Sequence, residues 1–565
     1  MGRRAILSVI GAVTLAACSD DSPTTANAAG GSGGRSSAVG GSSSGGASPA
    51  KGGSGGDAGA KGGATALEPA CQVGANPSSS VQKPELIATL FDRWHEAWLA
   101  SPAVVDLDAD GVSEIIVPRD ELLLIWHLDG SLVRRFELPG RIWASPVVAD
   151  LDPSRPGLEL AVASRQQIAA WDAQGNPLSG FPFTWRDEMR SLAAADIDGD
   201  GGLELVAVTT SDLESGGQTD ILIAVHANGK VVNGFPPNTT GHSGCDDACY
   251  VHAGYDQNVA LGDVDGDGIA DILAPQDNSY VSLHHGDGRA FDAAPIFKGR
   301  QKFLGIRFML DYADAQQGYA EDEENSNQAH FTNTAPAIVD VDRDGKNDLV
   351  MLGSVQNAAQ SDRERGVVLF VVHQDGTRPA EWVKPFHAPE FLDGLWDAGD
   401  NIVAATNQVT VLELDPAHAG YEFVFAGFDG KIHAVTSSNE ELWQYPFTTR
   451  AGVLTGGVIA ADLSRDGRPE IVFNSYSTAA DQGALFVLSS AGALLHRIPL
   501  PGRGAMPVPT AADIDGDGQL EIIVSLKDAV DKQSQVQVYA VPGSGTNCMP
   551  WPTGRRDLRR SGLVQ

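Results

Sequence analysis

The stretch GDVDGDGIADILAP, residues 262–275, sets four acids, Asp263, Asp265, Asp267 and Asp271, within nine positions and follows them with an apolar run. Carboxylates about 4 Å apart repel by roughly 1 kcal/mol per pair in water and about 4 kcal/mol near a protein surface. Four of them make six pairs, so an unneutralised loop is disfavoured by something on the order of 6–24 kcal/mol. A hard divalent cation is the direct remedy.

The stretch is one of a series. DLDADGVSE (106–114), DIDGDGGLE (196–204), DVDGDGIAD (263–271), DVDRDGKND (340–348) and DIDGDGQLE (513–521) are full copies, and DLSRDGRPE (462–470) carries Ser464 in place of one Asp. DLDPSRPGLE (150–159) and ELDPAHAGYE (413–422) share Leu-Asp-Pro, a later Gly and a closing Glu, but each lacks the third acid; they read as empty turns. The eight starts lie 44, 46, 67, 77, 73, 49 and 51 residues apart. Before the loops stand small apolar runs such as SPAVV, SLAAA or APAIV, and after them EIIV, ELVAV or DLVML, which have strand length and composition. A second apolar run then ends in a glycine turn (LLLIWHLDG, QIAAWDAQG, ILIAVHANG, VVLFVVHQDG), and a fourth segment pairs an aromatic with proline (GFP, GFP, YPF, WP). Four short strands per unit with a period near 45 predict an all-β propeller of four-stranded blades. Eight units predict eight blades, with seven as the alternative. Closure into one ring is favoured over a row of separate modules because it removes exposed strand edges.

The spacing also rejects an EF-hand, whose bidentate acid stands at position 12. Position 12 here is Val117, Ala207, Ala274, Met351 or Val524, while the last acid stands at position 9. A strand, D-x-D-x-D-G-x-x-[DE] and a second strand, repeated in register over roughly residues 90–550, resemble the FG-GAP/VCBS repeat of integrin α-subunit propellers. That family has seven blades, from which eight units depart. The resemblance implies a Ca²⁺ loop between the first and second strands of a blade, with ligands at positions 1, 3, 5 and 9 and a backbone carbonyl at position 7. The implied ligands are Asp106, Asp108, Asp110 and Glu114; Asp196, Asp198, Asp200 and Glu204; Asp263, Asp265, Asp267 and Asp271. They continue with Asp340, Asp342, Asp344 and Asp348; Asp462, Ser464, Asp466 and Glu470; and Asp513, Asp515, Asp517 and Glu521, for five or six ions. Oxygen donors with a glycine at position 6 suit calcium on chemical grounds, and magnesium less well.

The N-terminus predicts export. Arg3 and Arg4 precede the apolar stretch 5–17, too short to span a bilayer, which ends in Leu15-Ala16-Ala17-Cys18. This resembles the bacterial lipobox, implying a signal peptide over 1–18 and a lipidated Cys18, hence a cell-envelope protein on the outer membrane or cell surface. Residues 19–68 are mostly Gly, Ser, Ala and Thr and predict a disordered tether reaching roughly 40 Å. The propeller is assigned to 69–565. A net charge of −34 argues against nucleic-acid binding, which needs a basic surface.

Four cysteines remain, and they allow three pairings. Cys71 precedes the first blade and Cys548 follows the last strand run, so a Cys71–Cys548 disulfide would staple a closed ring and leave Cys245 for Cys249. HSGCDDACYVH (242–252) also permits zinc on His242, Cys245, Cys249 and His252. The tail WPTGRRDLRRSG (551–562) is similar to endings in other proteins of this repeat type, and its arginines are expected to pack across an acidic rim. His284-His285 reads as a surface pair.

In the integrin-type arrangement the blade-to-blade connections bind ligands on the face opposite the metal loops. The long insertions 236–258, 298–333 and 384–407 fall there and carry Tyr255, Tyr312, Tyr319, His330 and Trp396. Aromatics beside acids and amides suit a glycan or an envelope or extracellular protein. The expected function is a tethered, calcium-stabilised binding or adhesion module. The alternative is an enzyme, either carbohydrate-active (polysaccharide lyase-like, for instance with Tyr312 and His330) or resembling quinone-dependent dehydrogenases; no nucleophile elbow, HExxH or phosphate loop is present.

Overall fold

The computed structural model describes residues 71–564 apart from 79, 93–94, 210–221, 238–258, 277–278, 318–327, 332–333, 356–365, 393–396, 399–400, 403–406, 419, 479–482 and 529–535. Eight small antiparallel sheets succeed one another along the chain, forming an eight-bladed β-propeller. Blade 1 shows the plan: Ala103–Val105, Glu114–Arg119, Leu122–Trp126 and Leu132–Glu137 pair in sequence order. Blades 2 to 7 begin at Val147, Met189, Ala260, Ala337, Thr410 and Ile459.

Burial identifies which edge of each sheet is inner. The second strand of blade 1 is buried at every residue, because neighbouring blades cover both of its faces. Outer strands such as Leu132–Glu137, Glu441–Pro446 and Leu494–Pro499 alternate between exposed and half-buried. Leu205, Ala207, Ile223 and Val225 of blade 3 pack with Ile272 and Ala274 of blade 4, and blades 5, 6 and 7 share a cluster through Val350, Phe423 and Phe473. Each such side chain contributes about 1.5–3 kcal/mol on full burial.

Three features depart from eight equal four-stranded units. Blades 3 and 4 show three ladder strands among the described residues, their fourth segments meeting the third strand only through the bridges Val225↔Val231 and His284↔Ala290. In blade 3 that segment runs into Pro236 and Pro237, which have no N–H to donate to a ladder. Blade 5 gains a strand, Ala329–His330, beside Ser354 and Val355. Blade 8 is composite: Thr510–Ala512, Leu520–Ser525 and Val536–Val541 take their outer strand from the other end of the chain, Glu85–Leu90, in the register Glu85↔Ala540 to Leu90↔Val536.

This shared blade closes the ring, and a covalent bond adds to it. Cys71 and Cys548 form a disulfide with Cα atoms 5.4 Å apart across a sequence separation of 477. A cross-link closing so long a loop restricts the unfolded chain by about 6 kcal/mol in the chain-entropy account. Replacing both cysteines by alanine is expected to lower unfolding free energy by a few kcal/mol in urea titrations. A loss under about 1 kcal/mol would show that the composite blade alone keeps the ends together.

The C-terminal tail takes another course than the expected acidic rim. Its backbone or side chains bond to the inner edge of every blade: Trp551 to Ala460, Pro552 to Ala511, Leu558 to Val148, Arg559 to Ala194, Ser561 to Leu261, and Gly562 and Val564 to Ile338. Thr553 donates to Pro102, ahead of blade 1, and Gln408, ahead of blade 6, accepts from the Arg555 N–H. A segment touching all eight inner edges lies on the ring axis. Arg555 and Arg560 are 2 % and 0 % exposed. Arg560 donates to the carbonyls of Pro146, Gly554 and Pro102 and to the Thr553 hydroxyl, and Arg555 to the carbonyls of Leu192, Val259 and Arg560. These cations satisfy carbonyls left over at the centre of the ring.

Candidate metal centres

In an antiparallel meander the connection between strands one and two and the turn between strands three and four share one end of the sheet. Repetition around a ring puts all the acidic loops on one face and the blade-to-blade connections on the other.

Each acidic loop folds around its own carboxylates. Position 1 accepts backbone N–H groups from position 4 or 5 and from position 6: Asp106 from Asp110 and Gly111, Asp196 from Gly199 and Gly201, Asp263 from Gly266 and Gly268, Asp513 from Gly516 and Gly518. Position 5 accepts from position 7, as Asp110 does from Val112 and Asp344 from Lys346. The closing acid reaches back to position 2: Glu114 to Leu107, Glu204 to Ile197, Asp271 to Val264, Asp348 to Val341, Glu470 to Leu463 and Glu521 to Ile514. The glycine at position 6 has φ between +84° and +91° in all six loops, a left-handed conformation costly for other residues.

Position 3 accepts from position 5 in the same way, as Asp198 does from Asp200 and Asp265 from Asp267. Ligand atoms of Asp106, Asp108 and Asp110 lie within 4.8 Å of one another, as do those of Asp196, Asp198 and Asp200, of Asp263, Asp265 and Asp271, and of Asp340, Asp342 and Asp344. Asp340 keeps Oδ1 buried without a hydrogen-bond partner. Burial, helped by the other acids of the loop, pushes Asp271 up to about 8, Glu470 to about 8 and Glu521 to about 7. Three or four converging oxygens, all of carboxylate type and backed by a tight turn, fit a hard divalent cation.

The loop of blade 7 differs in its surroundings. Asp462 and Ser464 are buried, Asn547 Nδ2 donates to Asp462 Oδ2 at 2.7 Å, and Gly74 and Ser78 bond to the carbonyls of Arg465 and Ser464. Both chain ends therefore cover this loop beside the disulfide.

The two degenerate loops carry a nitrogen-bearing side chain of their own against their acids. In 150–159 the Arg155 guanidinium bridges Asp152 and Asp172, each at 3.0 Å. In 413–422 the His418 ring stands 3.5 Å from Asp415. Glu422 accepts from Leu414 and Asp415, and burial pushes its carboxyl from the ordinary 4.5 to about 8. Between those values the folded protein holds a proton that the unfolded chain has lost, so this group's contribution to stability falls as pH rises from about 4.5 to 8. Glu422→Gln is expected to remove that slope and to stabilise the protein by a few kcal/mol at pH 8 relative to pH 5, at roughly 1.4 kcal/mol per pH unit. Equal urea midpoint shifts at both pH values would refute it.

A residue type not singled out in the motif joins four of the loops. His127, His226, His285 and His373 end the third strands, where register sets them opposite the closing acid, as in Glu204↔His226. Their ring nitrogens stand 3.3, 3.0, 3.3 and 2.8 Å from Glu114, Glu204, Asp271 and Asp348. The expected surface pair is thus divided. His285 faces its loop, whereas His284 is 1 % exposed and burial lowers it to about 4.

Among the described parts of the insertions, Tyr312 begins a short helix, Tyr312–Gln317, with the guanidinium of Arg378, just past blade 5's turn between strands three and four, 4.7 Å from its ring, whereas His330 lies on the added strand of blade 5 beside Ser354, at the other end of that sheet. The start of 384–407 is blade 5's outer strand, Phe386–Ala388. At the junction of blades 8, 1 and 2, Trp98 and Trp143 meet at 5.2 Å, with Arg141 3.8 Å and Lys527 3.0 Å from the Trp98 ring. Burial lowers Lys527 to about 8. Cys18, the tether, Cys245, Cys249, His242, His252, Tyr255, Tyr319 and Trp396 lie outside the described residues.

No known family model matches the chain, and no curated protein does. Among solved structures it is similar to the Vibrio cholerae biofilm matrix protein Bap1 (14 % identity, 82 % of this chain and 92 % of that one, TM-score 0.47). It is also similar to the quinohemoprotein alcohol dehydrogenase of Comamonas testosteroni (11 %, 84 % and 79 %, TM-score 0.40) and to the C-terminal WD40 domain of Sif2 (11 %, 82 % and 99 %, TM-score 0.40). The assignment as an eight-bladed propeller rests on the strand pairing of the chain itself.

Proposed function

We propose that this chain is an FG-GAP/VCBS-type lipoprotein of the bacterial envelope, anchored through Cys18 and stabilised by calcium, whose insertion-bearing face binds a glycan or an envelope protein. The observation that carries the reading is the division of labour between the two faces. Self-capped acidic loops repeat on one, and the blade-to-blade connections that vary in length leave from the other, where Trp98 and Trp143 meet. Residues 551–564 fill the axis, so ligand access is through that second face. A cofactor on the axis would have to displace the protein's own tail.

The test is binding of the calcium-loaded protein to an array of bacterial and plant polysaccharides, with the mixtures checked for new reducing or unsaturated ends. Phe303, Phe308 and Phe331 are core residues, so the insertion is best shortened only at 318–327. Saturable binding that this deletion abolishes supports a lectin-like adhesin. New chain ends would overturn the non-enzymatic reading, and no binding to any glycan would leave an envelope protein as the ligand.

A further inference from the structure

We propose that the loops of blades 1, 3, 4 and 5 are mixed nitrogen–oxygen sites, in which His127, His226, His285 and His373 ligate a borderline transition-metal dication of the Mn²⁺-to-Zn²⁺ class, while the loops of blades 7 and 8 are oxygen-only calcium sites. The inference rests on the reading of these loops as cation sites and divides them into two chemical kinds.

The acids alone do not make this distinction; the histidines do, and they come from a different strand. The end of strand three lies at the same end of the sheet as the acidic loop, so the residue opposite the closing acid points at the loop's mouth. That position is histidine in four blades, Asp172 in blade 2, Thr436 in blade 6 and Ser489 in blade 7, each set by the adjoining register pairs. Blade 8 offers Ala540, opposite Glu521. Histidine therefore accompanies four of the five loops with all four acids. The strand-three position lacks histidine beside the loop with Ser464 and beside both degenerate loops, which hold Arg155 and His418 within the loop itself.

In blades 3, 4 and 5 the ring sits between two acids of its loop, whereas in blade 1 His127 stands within 4 Å of Glu114 alone. His226 Nδ1 stands 3.0 Å from Glu204 and 3.9 Å from Asp198, and His285 Nδ1 stands 3.3 Å from Asp271 and 3.7 Å from Asp265. His373 stands 2.8 Å from Asp348 through Nδ1 and 3.9 Å from Asp342 through Nε2. Ligand atoms of Asp198, Glu204 and His226 fall within 4.8 Å of one another. Bonds of about 2.1 Å in a tetrahedral sphere separate neighbouring ligand atoms by about 3.4 Å, between the 2.8–3.3 Å to the closing acids and the 3.7–3.9 Å to the second acids of these blades. Imidazole suits zinc and its neighbours, whereas carboxylate and carbonyl oxygen suit calcium and magnesium. All four side chains are a quarter to a third exposed, so a ring can turn onto an ion without disturbing the core.

The experiment titrates metal-free protein with Ca²⁺ alone, Zn²⁺ alone and Zn²⁺ in excess Ca²⁺, counts bound metal by mass spectrometry and reads imidazole scattering at the zinc absorption edge. The wild type is expected to hold four zinc ions with imidazole in the first sphere and to keep calcium in two further sites. The variant His127→Gln/His226→Gln/His285→Gln/His373→Gln is expected to lose zinc affinity at least tenfold with calcium binding unchanged. Zinc spectra without imidazole, or a variant that weakens both metals equally, would overturn the proposal and make the rings orienting partners of the closing acids. The calcium-only titration judges the underlying reading separately. Calcium at six sites with no zinc preference would sink the division alone, and zinc without calcium would sink the calcium reading alone.

Discussion

Removing divalent ions from the protein is expected to lower its melting temperature by roughly 15 °C. Each site filled at 100 times its dissociation constant adds about 2.7 kcal/mol, so five or six sites add on the order of 15 kcal/mol. A folded region of nearly 500 residues has a melting entropy near 1 kcal/mol per kelvin, which converts that figure to roughly 15 °C. The physical source is the repulsion of converging carboxylates, of which the buried closing acids are the strained members. Part of the loss should return when sodium chloride is raised, since salt screens the exposed acids of the loops. The measurement is calorimetry of protein shown to be metal-free by mass spectrometry, then reloaded. An unchanged melt would mean that the loops hold their fold through backbone bonds and protons alone.

The second large effect is expected on the axis. Arg560→Met removes the donors for the Pro146 and Gly554 carbonyls in a place water does not reach. A buried polar group left without a partner costs about 1–3 kcal/mol, so a loss of roughly 2–6 kcal/mol is expected in urea unfolding. Arg135→Met is the control, on an exposed outer strand with a 3.8 Å surface pair to Glu137, where about 0.5 kcal/mol or less is expected. Ending the chain after Cys548 keeps the disulfide but strips six inner strands of their axial partners. That truncated chain is expected to lose the single cooperative transition of the closed ring. Equal effects of the two arginine substitutions would show that the tail only lines the axis and does not hold it.

Much of the architecture was legible because the repeating element is local. The D-x-D-x-D-G-x-x-[DE] loop contains its own hydrogen-bond acceptors, so nine consecutive residues specify its shape, and the flanking apolar runs specify the strands it joins. Position 4, with positive φ at Ala109, Gly199, Gly266, Arg343, Arg465 and Gly516, carried a weaker form of the same signal, since three of the six are glycine. Arg155 and His418 of the degenerate loops were visible in the sequence, but only folding shows that they face Asp152, Asp172 and Asp415. The histidines were equally visible in WHLDG, VHANG, HHGDG and VHQDG. Their relation to the acids spans 13 to 25 residues and depends on strand register, which no local pattern states.

With eight blades expected and seven as the alternative, the sequence by itself determined the all-β class, the unit of the ring and the place of each acidic loop between first and second strands. These follow from periodicity and short-range hydrogen bonding. Only the tertiary structure decided that Glu85–Leu90 completes the last blade, that Arg555 and Arg560 lie on the axis, and that His226 faces Glu204. Each is a contact between segments far apart in the chain or across a strand pair, where the partner is chosen by which edges and carbonyls the closed ring leaves unsatisfied. A one-dimensional pattern records what a residue offers, and closure of the ring records what the rest of the molecule still lacks.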